Sequence, residues 1–389
     1  MKKIAVFTGT RAEYGILHGI AKKLNSAPNC EFQLWAGGSH YSEILGNTYQ
    51  EIEADGFCIS EKLDFLIASD TAYSVTKSMA NATMQAAEAI ARRQPDIIVL
   101  LGDRFEALAV AQAALIANVP IAHIHGGELT EGAIDDAIRH AITKMATLHF
   151  TSTERYRQRV IQLGEQPDSV FNTGAPGLDN IYAYEPLSKR ALNESLGICL
   201  SDKYFLVTFH PETATGNDAV LSQAKLIDSL LKFEEYELLI TYPNADAQGL
   251  TLIAELEKFA QAYPERIHLF KSLGWHRYLS AVNYAGAVIG NSSSGIIEVP
   301  SLKVPTINLG DRQKGRIAAS SVLNVNFESA AIEAAIIRVL SKAFKDIVAN
   351  VENPYGSGNS SDLIVKHLLS FLPSAMPKVF YDLKRESND

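Results

Sequence analysis

The chain has 389 residues, of which 47% are apolar, 20% charged and 8% aromatic, a globular composition that excludes disordered and fibrous classes. A chain of this length divides its apolar surface between about two cores. Lys+Arg 35 against Asp+Glu 44 leaves a net charge of −9, which excludes a broad basic surface for nucleic acid but not a small anion met by a few local cations.

Short β-rich runs alternate with helical stretches from the start. Residues 4–8, 32–36, 96–101, 120–125, 148–151 and 170–173 are brief Val/Ile/Leu/Phe runs, too apolar to alternate, as in parallel strands covered on both faces. A helix begins near Glu13, and others are predicted over 72–92, 105–117 and 135–147. The pattern implies a doubly wound parallel sheet with right-handed crossovers. Residues 174–189, with Pro176, Gly177 and Pro186 and no sustained period, read as a linker. Alternation resumes over 204–209, 236–242, 267–270, 287–289, 306–309 and 322–326, then a last amphipathic helix near 362–371 and a charged tail expected to be loose. The expected division is a first domain over 1–175, a linker over 176–190, a second domain over 191–361, and a C-terminal helix and tail over 362–389. Cys30, Cys58 and Cys199 form no metal-spaced pair and no disulfide framework. The first residues reach Arg11 and Glu13 too early for a signal peptide, and no apolar run approaches the roughly 20 residues of a membrane span. A cytoplasmic protein without membrane or nucleic-acid partners is expected.

Open parallel sheets bind ligands beyond the carboxyl ends of their strands, so those positions carry the functional reading. After the first strand, Gly9-Thr10-Arg11 lacks both the dinucleotide fingerprint and the Walker Lys-Ser/Thr pair, yet Arg11 before a helix could grip a diphosphate. Gly102-Asp103-Arg104 places an acid and a base at the next rim, where Asp103 either caps the following helix or acts in a site. His123 and His125 are expected on one face of their strand, followed by Gly126-Gly127-Glu128. With no third ligand at recognisable spacing, acid–base chemistry is favoured there over a metal. Asp135 and Arg139 lie one helical turn apart, as do Asp136 and His140, pairs that ordinarily decorate a surface. In the second half His210 closes an apolar strand. Gly290-Asn291-Ser292-Ser293-Ser294-Gly295 should open a helix and cradle an anion, with Glu298 about one turn inside and suited to neutral hydroxyls such as those of a ribose. Arg312, Lys314 and Arg316 follow the next strand.

These residues resemble the UDP-N-acetylglucosamine 2-epimerases, and within them the hydrolysing branch that supplies N-acetylmannosamine for bacterial sialic acid synthesis. The resemblance covers nearly the whole chain and rests on TGTRAEYG, LGDR, HIHGGE, IDDAIRHAITK, TSTERY, HPET, GNSSSGIIEVPSLKVPTINLGDRQKGR and NPYG in that order. It implies an α/β fold of two Rossmann-like doubly wound domains with an interdomain cleft, as in the GT-B glycosyltransferases. It also implies a C-terminal helix and tail over 362–389 that pack back on the first domain, a UDP-sugar substrate, no cofactor or metal, and a homodimer or homotetramer. His210, Arg312, Ser292 and Ser293 would then meet the diphosphate, Glu298 the ribose, and Asn244 and the backbone near Leu273 the nucleoside. Arg11 would reach the diphosphate from the first domain, while Asp103, Arg104, Glu128, Asp135 and Arg139 would surround the sugar. Non-hydrolysing and animal relatives carry a glutamate where this chain has His125, so the base that removes the C2 proton is one of His125, Glu128 and Asp103. The expected reaction is elimination of UDP to 2-acetamidoglucal, then hydration to N-acetylmannosamine. The alternatives are the corresponding epimerase of UDP-2,4-diacetamido-2,4,6-trideoxyglucose and a GT-B glycosyltransferase.

Overall fold

Strand β1, Lys2–Thr8, shows why the apolar runs do not alternate: Ile4 and Val6 face one core, Ala5 and Phe7 another, and all four are buried. The computed structural model describes residues 1–43, 47–67, 69, 71–129, 134–210, 218–243, 247–372 and 378–383, with the backbone alone for 247–250. Its residues from 1 to 180, joined by those from 355 onward, form one compact unit, and residues 181–354 form another.

In the first unit β1 is followed by β2 (Cys30–Gly37), β3 (Ile59–Leu63), β4 (Ile97–Leu101), β5 (Ile121–Ile124), β6 (Leu148–Thr151) and β7 (Val170–Asn172). All pair in parallel in the order β3-β2-β1-β4-β5-β6-β7. The sheet reverses direction of growth between β1 and β4, the switch point at which doubly wound sheets bind ligands. One face is covered by helix Arg11–Asn25 through Leu17, Ile20 and Leu24, and by Ile364, Val365 and Leu368 of helix Ser360–Ser370. The other is covered by helices Ala72–Arg93 and Phe105–Ile116, whose buried alanines (Ala82, Ala86, Ala107, Ala111, Ala114) keep both close to the sheet. Helix Ser360–Ser370 is tied in at both ends. Asp179 accepts from the Ser360 and Ser361 amides at 2.9 and 2.6 Å, and Lys2 Nζ donates to the Leu368 and Leu369 carbonyls at 3.2 and 3.0 Å.

The second unit holds β8 (Tyr204–Thr208), β9 (Glu237–Thr241), β10 (Ile267–Phe270), β11 (Ala287–Gly290), β12 (Thr306–Leu309) and β13 (Val322–Val325). They too are parallel, in the order β10-β9-β8-β11-β12-β13, with the switch between β8 and β11. Gly290, at φ 142°, ends β11 so close to β8 that a Cβ there would stand 1.9 Å from the Thr208 carbonyl oxygen. Two doubly wound α/β units follow from the same strand–helix grammar.

The linker and the edge strand β3 depart from the sequence reading. The linker contains helix Gly177–Ala183, too short to reveal a period between two prolines. The edge strand β3 was missed because its run is ISEKL, with Glu61 buried only as the partner of Arg92 and Arg93 at 2.8 and 2.6 Å. Among the described residues no helix is long and apolar enough to cross a membrane.

Candidate active site

The first unit gathers its polar residues after β1, β4, β5 and β6, four neighbours in the sheet. After β1, Thr10 caps helix Arg11–Asn25 in a capping box: the Glu13 amide donates to Thr10 Oγ1 at 3.2 Å, and Glu13 Oε2 accepts from the Gly9 and Thr10 amides at 2.7 and 3.2 Å. The Gly9 and Thr10 N–H groups at the start of this helix are thus taken by the chain's own carboxylate, and the Glu13 N–H by the Thr10 hydroxyl. Burial pushes the Glu13 pKa up to about 7, opposed by the Gly9 amide and reinforced by Glu106. Arg11 is exposed and donates from Nε to Glu51 at 2.8 Å.

After β4, Asp103 does not cap the helix that follows. Arg104 occupies the cap position without a side-chain cap bond, and Asp103 instead accepts from Arg139 Nη2. Arg104 forks onto buried Glu106, with Nη2 and Nε at 2.8 and 3.2 Å from its two oxygens. After β5 the two histidines part company. His123 is the last-but-one residue of the strand, wholly buried, with Nε2 2.7 Å from the Gly102 carbonyl and Nδ1 3.2 Å from Thr143 Oγ1. Burial drives its pKa down to about 3, so the ring is neutral and donates from Nε2. His125 lies beyond the strand at φ 66°, so the alternation expected to put both rings on one face does not reach it.

His125 turns instead onto Glu128. Its Nδ1 stands 2.6 Å from Glu128 Oε1, and Ser152, directly after β6, donates its hydroxyl to the same oxygen at 2.7 Å. Glu128 and Ser152 are 2% and 1% exposed, so these donors hold the carboxylate in low dielectric, with Arg139 Nη1 3.9 Å from its other oxygen. An ionised Glu128 selects the Nδ1–H tautomer of His125 and leaves Nε2 as an acceptor; Nε2 has no hydrogen-bond partner among the described residues. Arg139 is no surface residue. It is 3% exposed on helix Ile134–Met145, gives Nη1 to the His125 carbonyl at 2.9 Å, and joins Asp103 to the turn that carries Glu128. Asp135, half-buried on the same helix, has its pKa raised by burial and by nearby Asp103, against Arg104 and Arg139.

In the second unit the organising residue is Asn291, fully buried just after β11. Its Oδ1 accepts from the His210 amide at 2.7 Å, its Nδ2 donates to the His210 carbonyl at 2.8 Å, and its own carbonyl accepts from Arg312 Nη1 at 2.9 Å and Gln313 Nε2 at 3.0 Å. It thereby ties together the ends of β8, β11 and β12. Ser292 and Ser293 lead into helix Ser294–Ile297, which is shorter than expected because Pro300 has no N–H to continue it and the chain tightens into the 3-10 turn Val299–Leu302. Glu298 closes that short helix and accepts from the Ser294 hydroxyl, with its pKa raised by burial. The Leu273 side chain is buried, and its carbonyl accepts from Arg277 Nε at 2.7 Å. Asn244 lies outside the described residues, as do the three residues after His210 in the HPET motif.

Most of the charged groups were named from the sequence, whereas Ser152, Glu106 and Asn291 were given no role of their own. Ser152 sits inside TSTERY and Asn291 inside GNSSSG, both at strand ends, and that position was the signal that could have found them. Among the described residues no group of three His, Cys, Asp or Glu side chains is arranged to hold a metal ion.

The family model described as UDP-N-acetylglucosamine 2-epimerase matches residues 22–369. The chain is 38% identical over 386 residues to polysialic acid biosynthesis protein P7 of Escherichia coli, covering 98% of each. It is also 38% identical to the hydrolysing GDP/UDP-N,N'-diacetylbacillosamine 2-epimerase of Campylobacter jejuni, covering 88% of this chain and 89% of that one. The crystal structure of UDP-GlcNAc 2-epimerase from Neisseria meningitidis bound to UDP-GlcNAc superposes with a TM-score of 0.79 at 20% identity, over 95% of this chain and all of that one. The two-sheet α/β fold is thus the GT-B-like fold of those enzymes, and the chain belongs to the UDP-N-acetylglucosamine 2-epimerase family.

Proposed function

We propose that this chain is a hydrolysing UDP-N-acetylglucosamine 2-epimerase that converts UDP-N-acetylglucosamine and water to N-acetylmannosamine and UDP. The observation that carries this reading is the buried Ser152–Glu128–His125 relay, which prepares one imidazole nitrogen to take a proton.

The C2 hydrogen of the sugar has no neighbouring carbonyl to acidify it, so its removal must be coupled to loss of a leaving group. His125 Nε2 takes the C2 proton, the C2–H electron pair forms the C1=C2 double bond, and the C1–O pair leaves with UDP. Glu128 stabilises the resulting imidazolium, as the carboxylate does in an acid–base–orienter triad. Asp103, already neutralised by Arg139, is the weaker candidate for this base. Water then adds at C1 while a proton is returned to the opposite face of C2; Asp135, which holds its proton more readily than an ordinary carboxyl, suits that step.

UDP is assigned to the second unit. Arg312 and His210, fixed through Asn291, and the leading N–H groups at Ser292 and Ser293 stabilise the charge of the departing diphosphate. Glu298 takes the ribose hydroxyls and Asn244 and Leu273 the base, by the family pattern. Arg11 can join the diphosphate at small cost, because an exposed pair such as Arg11–Glu51 contributes little where it stands.

A second reading has a specific observation behind it: relatives named as diacetylbacillosamine 2-epimerases match at 38% and 31% identity. The two sugars differ at C4 and C6, away from the bonds that break. Incubating the protein with each UDP-sugar in D₂O and following UDP release and product NMR tests both. Release of free N-acetylmannosamine bearing deuterium at C2 is expected with UDP-N-acetylglucosamine. Product without deuterium would end the elimination mechanism, and retention of configuration at C2 would make the chain a transferase or simple hydrolase.

A further inference from the structure

The tail expected to be loose is, over residues 378–383, clasped against the first unit. Tyr381 donates its amide to the Gly164 carbonyl at 2.9 Å, and Gln166 Nε2 donates to the Val379 carbonyl at 3.3 Å. The Tyr381 ring packs on Val160, Ile161 and Val170, and the Lys144 ammonium lies 4.7 Å from the centre of the Phe380 ring. Gly164 makes the seat: at φ 91° it sits where a Cβ would come within 2.2 Å of the Phe380 ring.

Lys378 opens this segment. Its Nζ donates to the carbonyls of Ala146 at 2.6 Å, Lys144 at 2.9 Å and Thr143 at 3.4 Å, which close helix Ile134–Met145. The same ammonium lies 2.5 Å from Glu165, whose side chain is wholly buried and is also met by Lys144 at 2.7 Å and His149 at 3.0 Å. The last lysine of the helix, Lys144, gives its own ammonium to Glu165 and Leu163 rather than to the helix end, so the helix borrows its terminal cation from a distant part of the chain. Thr143 stands one turn beyond Arg139 and donates its hydroxyl to the Arg139 carbonyl at 3.0 Å. A shift at the anchored end is therefore carried directly to the guanidinium that joins Asp103 to the His125–Glu128 turn.

We propose that Lys378 is a positioning residue for the reaction: by holding the last carbonyls of helix Ile134–Met145 to buried Glu165, it sets where Arg139 stands relative to Asp103 and His125. The inference rests on the reading of the chain as a 2-epimerase. Lys378 touches no group assigned to substrate, so it acts on the chemical step through Arg139 and leaves UDP binding alone. A displacement of the order of an ångström in such a helix costs roughly tenfold to a hundredfold in rate.

The test compares wild type, Lys378→Met, Lys378→Arg and Phe380→Ala by backbone hydrogen exchange and by steady-state UDP release. In Lys378→Met, exchange at residues 142–147 should quicken, and kcat should fall between about tenfold and a hundredfold with KM unchanged. Lys378→Arg should restore both, since a guanidinium can still meet the carbonyls and Glu165. Phe380→Ala removes an exposed ring and keeps the core intact, so it tests the same segment should Lys378→Met fail to fold; a smaller change in the same two quantities is expected. Unchanged exchange in the folded variants, or quickened exchange with unchanged kcat, would overturn the proposal. Absence of UDP release by wild type from either sugar would instead overturn the functional reading, and the exchange measurement would still report on the anchor.

Discussion

At the strand ends of the first unit charged groups meet side chain to side chain, whereas in the second they hang on one buried amide residue. Arg139 joins Asp103, His125 joins Glu128 and Arg104 joins Glu106, while His210 and Arg312 are both fastened to Asn291. The contrast separates two chemical tasks. Coupled acids and bases can pass a proton among themselves, and their readiness to do so depends on burial and on small displacements. A guanidinium held by a carbonyl keeps its charge at every working pH and offers a fixed positive field to a leaving group.

The largest expected effect tests the proton-handling edge. His125→Gln should lower kcat by about 10²–10⁴ while leaving UDP affinity as it was, measured by UDP release and by calorimetry with UDP. Loss of UDP binding in that variant would mean the two edges do not divide the work as described.

Glu13 has a folded pKa of about 7 against 4.5 for the free side chain, so its contribution to stability is fullest below pH 4.5 and is lost as pH rises through 7, by roughly 3 kcal/mol. Neutral, buried His123 acts in the opposite sense, its contribution being lost as pH falls from 6.5 towards 3, so Glu13 must be read as a difference between variants. Glu13→Gln should match wild type in unfolding free energy near pH 4 and exceed it above pH 7. Trp35, buried in the first unit, reports that transition once Trp275 of the second is replaced by Phe. A constant gap between the two curves would show that Glu13 is not held in the protonated form.

On the second unit, Asn291→Ala removes the bonds to the backbone amide and carbonyl of His210. At about 1–3 kcal/mol for the buried groups left unmet, UDP affinity should fall roughly tenfold to a hundredfold, with kcat changed less. The smallest effect is expected for Ser152→Ala, which takes one hydroxyl donor from Glu128. A hydrogen bond to a carboxylate is worth about 1.5–3 kcal/mol, but only the part that grows as the imidazolium forms is lost from the chemical step, so kcat should drop by less than about tenfold.

Much of this was legible in the primary structure, for a physical reason. Strands such as Ile97–Leu101 are buried on both faces and must be apolar throughout, so they stand out between amphipathic helices. The polar residues that follow them cannot be serving the core and so announce themselves. What escaped were features whose cause lies far along the chain. β3 is a strand only because Arg92 and Arg93 neutralise Glu61, and Ser152 matters only because β6 lies beside β5. The face shared by His123 and His125 failed for a local reason: one residue in a left-handed conformation ends the alternation.

The discontinuity of the first unit has a consequence for synthesis. Ile364, Val365 and Leu368 complete its core and Asp179 waits to cap their helix, yet these residues leave the ribosome only after the whole of 181–354. The later-born second unit, continuous in the chain, can mature first, while its elder neighbour carries an uncovered apolar face through that interval. Contacts of such long sequence separation are slow to form, and nascent protein is most in need of chaperone protection during that wait.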